Sequence, residues 1–124
     1  MSLSSTKKTV LIVEDDPILR MVATDVVTEL GLEGIAASGA DEAKRILEQR
    51  SDINVLFTDI DMPGSMNGIG LAQWAKKSLK SIKIVITSGH SKIPNLSDRK
   101  EWKFFAKPYD IDFVARELKR MATV

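Results

Sequence analysis

The stretch from Val55 to Gly64 limits the fold of this chain more than any other. It begins with a short apolar run, 55–58, that suits a buried strand, and it ends at Pro63 and Gly64, which stop a strand and force a turn. Asp59 therefore lies where a buried strand passes into a loop. In an open α/β sheet ligands bind at the carboxyl ends of the strands, and a carboxylate there can bind a metal or act as a base or nucleophile. An aspartate that only caps a turn is the alternative.

Four more strand-like runs alternate with helical or irregular segments. Continuous runs of β-branched and leucine residues, such as 9–13, are typical of strands buried on both faces. Alternation of this kind predicts a parallel sheet covered by helices on both sides. Five strands in this length fit the doubly wound, flavodoxin-like α/β fold with strand order 2-1-3-4-5. The predicted strands are 9–13, 32–37, 53–58, 82–87 and 104–106.

Helical periodicity and end signals predict helices at 17–30, 40–50, 68–79 and 111–121. The first helix has Asp16 as its N-cap, Pro17 in its first turn and Gly31 just after its end. Its core-facing side is predicted to consist of Ile18, Val22, Val26 and Leu30. Between the fourth and fifth strands, a proline and a polar run leave room for at most a short or irregular helix near 96–101.

Composition and charge exclude several classes of protein. The 124 residues are enough for one domain, predicted to span 9–124 after a flexible tail at 1–8. A net charge of +1 gives no reason to expect a nucleic-acid or membrane partner. The absence of cysteine excludes disulfides, thiolate metal sites and cysteine nucleophiles, and it is compatible with the cytoplasm, where we expect the protein to act. We find no membrane-spanning run and no signal peptide.

Four of the predicted strands deliver polar side chains to the same edge of the sheet. Each residue has an ordinary explanation alone, but three carboxylates in one crevice repel one another, and one lysine is not enough to compensate them. A divalent cation is the natural partner, and oxygen ligands at an open site favour Mg²⁺. With a lysine and a hydroxyl as donors, the set suits phosphoryl transfer with Asp59 as nucleophile. Its members are Glu14, Asp15, Asp59, Thr87 and Lys107.

These residues belong to four short motifs: VLIVEDDP at 10–17, DIDMPG at 59–64, ITSG at 86–89 and Lys107-Pro108. In this order and at these separations the motifs resemble the receiver domain of bacterial two-component response regulators, over essentially the whole chain. The resemblance implies that a histidine kinase or histidine phosphotransfer protein phosphorylates Asp59. It also implies a switch module that is not an enzyme in the turnover sense, although it would catalyse its own phosphorylation and dephosphorylation.

The resemblance further implies a role for each site residue. Asp15, Asp59 and the backbone carbonyl of Asp61 would ligate Mg²⁺, and Glu14 would act largely through water. Asp61 and Gly89 would border the route of an attacking water and tune the lifetime of the phosphorylated state.

The expected switch lies at the fourth and fifth strands. Thr87 and Lys107 would sense the phosphoryl group, which adds nearly two negative charges and several acceptor oxygens. Phe104 occupies the place of an aromatic that turns inward on activation in receivers, although a plain core role is the alternative. A pull on the Thr87 hydroxyl would open space for Phe104 and change a partner-binding surface.

Two features depart from the common receiver pattern. The loop at 63–68 is one residue longer, which we expect to alter the lip of the site and leave its ligands in place. The irregular segment 91–103 replaces a helix that commonly forms the dimer surface, so we expect a monomer or a weak dimer. His90 is predicted to be a loop residue and not a metal ligand.

Several alternatives remain open at this stage. The chain could be a stand-alone receiver, which its short tail and early end favour slightly, or it could be cut from a hybrid histidine kinase. A pseudo-receiver that binds partners without phosphorylation would lack a use for the intact acidic set. A phosphatase with Asp61 as second acid would need a substrate-covering cap, for which we see no sequence. A flavin carrier would need a phosphate-binding loop where this chain has Glu14, Asp15 and Asp16.

Overall fold

The structure is a computed structural model that describes residues 7–64, 66–89 and 102–123. Within these residues, five strands form one parallel sheet in the order β2-β1-β3-β4-β5. The predicted flavodoxin-like α/β fold with strand order 2-1-3-4-5 is confirmed. The elements are β1 Thr9–Val13, α1 Pro17–Glu29, β2 Glu33–Ala37, α2 Ala40–Gln49, β3 Val55–Asp59, α3 Gly68–Ser78, β4 Lys83–Ser88, β5 Lys103–Ala106 and α4 Ile111–Ala122.

Some expectations fall outside the described residues. They are the short helix near 96–101, the loop position of His90 and the flexibility of the tail at 1–6. The label α4 therefore belongs to the helix that follows β5. Among the described helices, none combines the length and the apolar character that crossing a bilayer requires.

Alternate residues along the strands face opposite sides of the sheet and build two apolar layers. On one side, Leu11 and Leu56 pack against α2 and α3. On the other side, Ile12 and Phe57 pack against α1 and α4. Because both faces are covered, the strands can be apolar throughout, and polar side chains are left to the strand ends.

The helices begin where short polar side chains cap them. Asp16 accepts the backbone N–H groups of Ile18 and Leu19 at the start of α1, and Asp110 does the same for α4. Gly31 follows α1 with φ +88°, a conformation that favours glycine and ends a helix. The N-cap at Asp16 and the glycine after the end of α1, both predicted from the sequence, are confirmed.

The predicted core face of α1 is wrong for two of its residues. Ile18 is 67% exposed and Val22 is 38% exposed, whereas Ala23 and Val27 are buried against the sheet. Helix α1 carries apolar residues around most of its circumference, so periodicity alone does not select the buried side. Ala23 and Val27 lie on the side that packs against the sheet, and Ile18, Met21 and Val22 are left facing solvent.

The loop between β3 and α3 returns tightly to the strand end. The N–H of Gly68 donates to the Ile60 carbonyl oxygen at 3.0 Å. A Cβ placed on Gly68 would overlap the carbonyl oxygen of Asp59 and crowd the Cα of Ile60. A side chain at this position would therefore have to displace the strand end that carries Asp59.

We predict that Gly68→Ala lowers the free energy of unfolding by about 2 kcal/mol, because the overlapping atoms are backbone and cannot rotate away. Urea unfolding followed by far-UV circular dichroism measures this loss. Gly70→Ala on the same helix is the matched control. Its Cβ would lie 3.1 Å from Cγ of Met66 and 3.8 Å from Oδ1 of Asn67, both side-chain atoms that can shift, so helix propensity should leave the protein equally or more stable. A Gly68→Ala protein as stable as the wild type would contradict the proposed close approach.

Candidate functional site

Three carboxylates meet at the carboxyl edge of the sheet. Glu14 follows β1 directly, Asp15 comes next, and Asp59 is the last residue of β3. One carboxylate oxygen from each lies within 4.8 Å of the other two. Glu14 and Asp59 are 6% and 5% exposed, while Asp15 is exposed, so the cluster opens to solvent at Asp15. The convergence expected from the sequence is present in the structure.

Lys107 links two of these carboxylates. It follows β5, and its Nζ donates to Oδ2 of Asp59 at 2.9 Å and to Oε1 of Glu14 at 3.1 Å. Its backbone N–H donates to the Ser88 carbonyl oxygen at 2.8 Å, which continues the β4–β5 pairing past the strand end. The ends of β1, β3 and β5 are thereby joined through one ammonium group.

Burial and pairing act in opposite directions on these groups. Burial raises the pKa of the Glu14 carboxyl, and it outweighs the hydrogen bonds from the Asp16 N–H and from Lys107, which lower it. Burial alone would lower the pKa of the Lys107 ammonium, but the hydrogen bonds to Asp59 and Glu14 outweigh it and raise that pKa. Lys107 is therefore charged at neutral pH, and ionisation of Glu14 costs the folded state free energy.

The two oxygens of Asp59 have different partners. Oδ2 accepts from Lys107, whereas Oδ1 accepts the backbone N–H of Asp61 at 3.3 Å. The Asp61 side chain is exposed. Asp61 thus reaches the site through its backbone, and the role of its carbonyl oxygen as a metal ligand stays a prediction.

The two predicted switch residues lie in different surroundings. Thr87 pairs with Asp59 across β3 and β4, is 2% exposed, and lines the same small cavity as Asp59 and Glu14. Phe104 is on β5 and pairs with Ile86 of β4. It is half-buried and packs against the apolar layer under α2 and α3. The structure does not bring Phe104 into the acidic cluster, and its inward turn on activation stays a prediction.

Two residues at the site were not anticipated. Tyr109 lines the cavity beside Glu14 and Asp59, and its ring meets Phe57 edge-on with centroids 6.0 Å apart. Burial raises the pKa of its phenol. Arg20 donates from Nη1 to the Glu14 carbonyl oxygen at 2.8 Å. Its position four residues after the N-cap was a usable signal, because helical side chains lean back towards the N-terminus.

An apolar surface lies next to Lys107, on the side of α1 that was expected to be buried. A cavity of about 380 Å³ opens there, lined by Leu19, Val22, Ala23, Lys107, Pro108, Tyr109 and Ile111. Three large apolar side chains of the helices α1 and α4, Ile18, Met21 and Phe113, are 67%, 57% and 49% exposed. We call these lining residues and the three exposed side chains the apolar face.

Comparison with known proteins assigns the chain to a family. The sequence model of the response regulator receiver domain matches residues 10–119. The match covers most of the chain, and the protein belongs to the receiver domain family of two-component response regulators.

Curated relatives agree with this assignment. A putative NtrX-like response regulator of Rickettsia bellii is 28% identical over 119 residues, which are 93% of this chain and 25% of that protein. The chemotaxis protein CheY of Thermotoga maritima is 36% identical over 83 residues, which are 65% of this chain and 67% of that protein. The chain thus spans about a quarter of the length of the Rickettsia relative.

Solved structures share the fold. The receiver domain of the hybrid histidine kinase CckA superimposes with a TM-score of 0.79 at 29% identity, covering 92% of this chain and 98% of that one. The response regulator TrrA of Thermotoga maritima, solved in complex with Mg²⁺ and BeF, has a TM-score of 0.80 at 25% identity, again over 92% and 98%.

We predict that Glu14→Gln stabilises the protein at neutral pH in metal-free buffer. Because the pKa of Glu14 is raised in the folded state, the wild type loses stability as the pH rises from the usual pKa of 4.5 through the folded-state pKa. The glutamine variant has no ionisable group at this position and is spared this loss. The gain in the free energy of unfolding should be about 1 kcal/mol near pH 7 and should vanish near pH 4. Urea unfolding across this pH range, with EDTA present, measures it.

Glu42→Gln is the control with the opposite sign. The Ser38 N–H that Glu42 accepts lowers the pKa of Glu42, so its ionised form stabilises the folded state above the usual pKa. This variant should lose a little stability at neutral pH, by less than about 1 kcal/mol because the group is partly exposed. If the free energy of unfolding changed with pH in the same direction in both variants, the opposite pKa shifts of Glu14 and Glu42 would be contradicted.

Proposed function

We propose that this protein is a phospho-accepting receiver of a two-component phosphorelay and that Asp59 carries the phosphoryl group. The observation that carries the proposal is the placement of Asp59, buried at the end of β3, within 4.8 Å of two more carboxylates and 2.9 Å from the Lys107 ammonium. Membership of the receiver family supports the same assignment. We take 9–124 as the bounds of the domain.

In the proposed reaction an oxygen of the Asp59 carboxylate attacks the phosphorus of a phosphohistidine on the donor. A phosphorus–oxygen bond forms, the phosphorus–nitrogen bond breaks, and the electron pair stays on the imidazole nitrogen, which takes a proton from water. The product is an aspartyl phosphate and a neutral histidine. Hydrolysis by water later returns the carboxylate and inorganic phosphate, so the domain acts only on its own phosphoryl group and does not turn over a substrate.

The donor set of the acidic cluster fits Mg²⁺. All of its groups offer hard oxygen ligands, and the exposed side at Asp15 leaves room for water and phosphate oxygens. We propose Asp15, Asp59 and the Asp61 carbonyl as ligands, with Glu14 acting through water. When bound, the ion supplies positive charge that offsets the carboxylates and the phosphoryl oxygens. The Mg²⁺ and BeF bound to the related TrrA support this assignment.

Lys107 and Thr87 are the proposed sensors of the phosphoryl group. The Lys107 ammonium already reaches Oδ2 of Asp59, so it can pair with a phosphoryl oxygen placed there. The Thr87 residue is in register with Asp59 on the next strand, which places a hydroxyl close to the new group. We propose that their movement is passed along β4 and β5 to Phe104.

The apolar face is the proposed docking surface for the donor protein, a histidine kinase or histidine phosphotransfer protein. A protein that presents a phosphohistidine to Asp59 must cover the surface around the site. Lys107 and Tyr109 border both the site and the apolar cavity, so the two are continuous. Exposed apolar side chains such as Ile18 are a recognised mark of interaction surfaces. We propose that this encounter takes place in the cytoplasm.

The competing pseudo-receiver is not favoured. A binding module without phosphorylation would have no use for a buried carboxylate such as Glu14, whose ionisation costs stability, yet Glu14, Asp15, Asp59 and Lys107 are all in place.

We predict that incubation with acetyl phosphate and Mg²⁺ adds the mass of one phosphoryl group to the wild type and not to Asp59→Asn. The transfer breaks the phosphorus–oxygen bond to acetate, so no partner protein is required. Intact-mass spectrometry, with and without EDTA, measures the adduct and its dependence on the metal.

Asp16→Asn is the matched control for this experiment. It makes the same chemical change on a neighbouring residue, and asparagine caps a helix as well as aspartate does. This variant should be modified like the wild type. If Asp59→Asn still gains the adduct, or if the wild type never gains it while Mg²⁺ is shown not to bind, the proposal fails.

A further inference from the structure

Arg20 ties helix α1 to the backbone that carries two of the three carboxylates. Its Nη1 donates to the carbonyl oxygen of Glu14 at 2.8 Å and lies 3.5 Å from that of Asp15. The side chain is half-buried on the second turn of α1 and leans back over the first. One donor nitrogen that contacts two successive carbonyl oxygens restrains both peptide planes, and it restrains the Glu14 carbonyl more strongly because that contact is shorter.

The other hydrogen bonds of the loop after β1 hold Glu14 more firmly than Asp15. The Glu14 N–H donates to the Ala37 carbonyl oxygen at 3.0 Å, and its carboxylate accepts from Lys107 and from the Asp16 N–H. Glu14 is thus held by β2, by β5 and by the start of α1. Asp15 is exposed, and its carbonyl contact with Arg20 connects it to the helix.

We propose that Arg20 is a positioning residue for the metal site. By holding the carbonyl groups of Glu14 and Asp15, it keeps both carboxylates directed at Asp59 and so raises the affinity of the cluster for Mg²⁺. This inference rests on the proposed function, which assigns Mg²⁺ to the cluster. Arg20 is not a ligand and touches no reacting atom.

Charge and position make opposite predictions for the loss of Arg20. Removal of a positive charge near three carboxylates should, by Coulomb's law alone, strengthen the binding of a cation. Loss of the hydrogen bonds to the loop should instead weaken it, because partners that orient metal ligands commonly contribute 10- to 100-fold in affinity. The direction of the change therefore identifies the role.

The experiment measures the Mg²⁺ dissociation constant by isothermal titration calorimetry with MgCl₂ on the full chain. Arg20→Met keeps the length of the stem and removes the donors, and we expect binding about tenfold weaker than in the wild type. Arg20→Lys keeps the charge and one donor nitrogen on a shorter and more flexible stem, so its affinity should fall by a smaller factor. Phosphorylation by acetyl phosphate should need more Mg²⁺ in both variants and reach the wild-type rate at saturation.

Arg45→Met is the matched control. Arg45 is exposed on α2, and like Arg20 it acts electrostatically on Glu42, so the same charge is removed from the same side of the molecule. Its Mg²⁺ affinity should stay the same or rise slightly. Circular dichroism checks that each variant is folded, and Arg20→Lys decides the question if Arg20→Met does not fold.

The outcomes separate this inference from the function on which it rests. Wild-type binding of Mg²⁺ with equal or tighter binding by the Arg20 variants would overturn the positioning role and leave the phospho-acceptor proposal intact. The same loss in Arg45→Met would also overturn it. A wild type that binds no Mg²⁺ would overturn the proposed function, and the role of Arg20 with it.

Discussion

The structure depends on an arrangement that electrostatics opposes, in which two buried carboxylates and a third exposed one share the end of a parallel sheet. Glu14 and Asp59 stay close together because Lys107 reaches both, at 3.1 and 2.9 Å. The ammonium comes from β5, two strands away from β3, so it can make these contacts only when the sheet is assembled in the observed order. The tight return of Gly68 onto Asp59 fixes the strand end from the other side.

The stability supplied by the apolar interior offsets the cost of this arrangement. Leu11 and Ile12 of β1 are buried on opposite faces of the sheet, each under a pair of helices. Burial of such apolar side chains is the main source of stability. Among the described residues every buried side-chain polar atom has a hydrogen-bond partner, and the charged groups of the acidic cluster lie at the carboxyl ends of the strands. A modest stability cost at one edge is tolerable because it is confined there, and it leaves charged groups ready to bind a cation or an added anion.

Sequence patterns predicted most of the fold and most of the acidic cluster, because both follow from where strands end. The order of strands and the convergence of Glu14, Asp15, Asp59 and Lys107 needed only the alternation rule and the list of terminal residues. The inward side of α1 could not be predicted in the same way, since apolar residues surround that helix and tertiary packing selected Ala23 and Val27. The place of Tyr109 beside the acidic cluster depends on distances between elements, which periodicity does not contain, whereas the local contact of Arg20 with the Glu14 carbonyl oxygen could have been found from its position on α1.

The two oxygens of Asp59 have partners in different elements, which bears on its proposed phosphorylation. Oδ2 faces Lys107 at the end of β5, and Oδ1 faces the Asp61 N–H in the loop before α3. A phosphoryl group on Oδ2 would meet the Lys107 ammonium first, and one on Oδ1 would meet the Asp61 N–H first. One carboxylate thus connects two regions of the molecule, the end of β5 and the loop before α3.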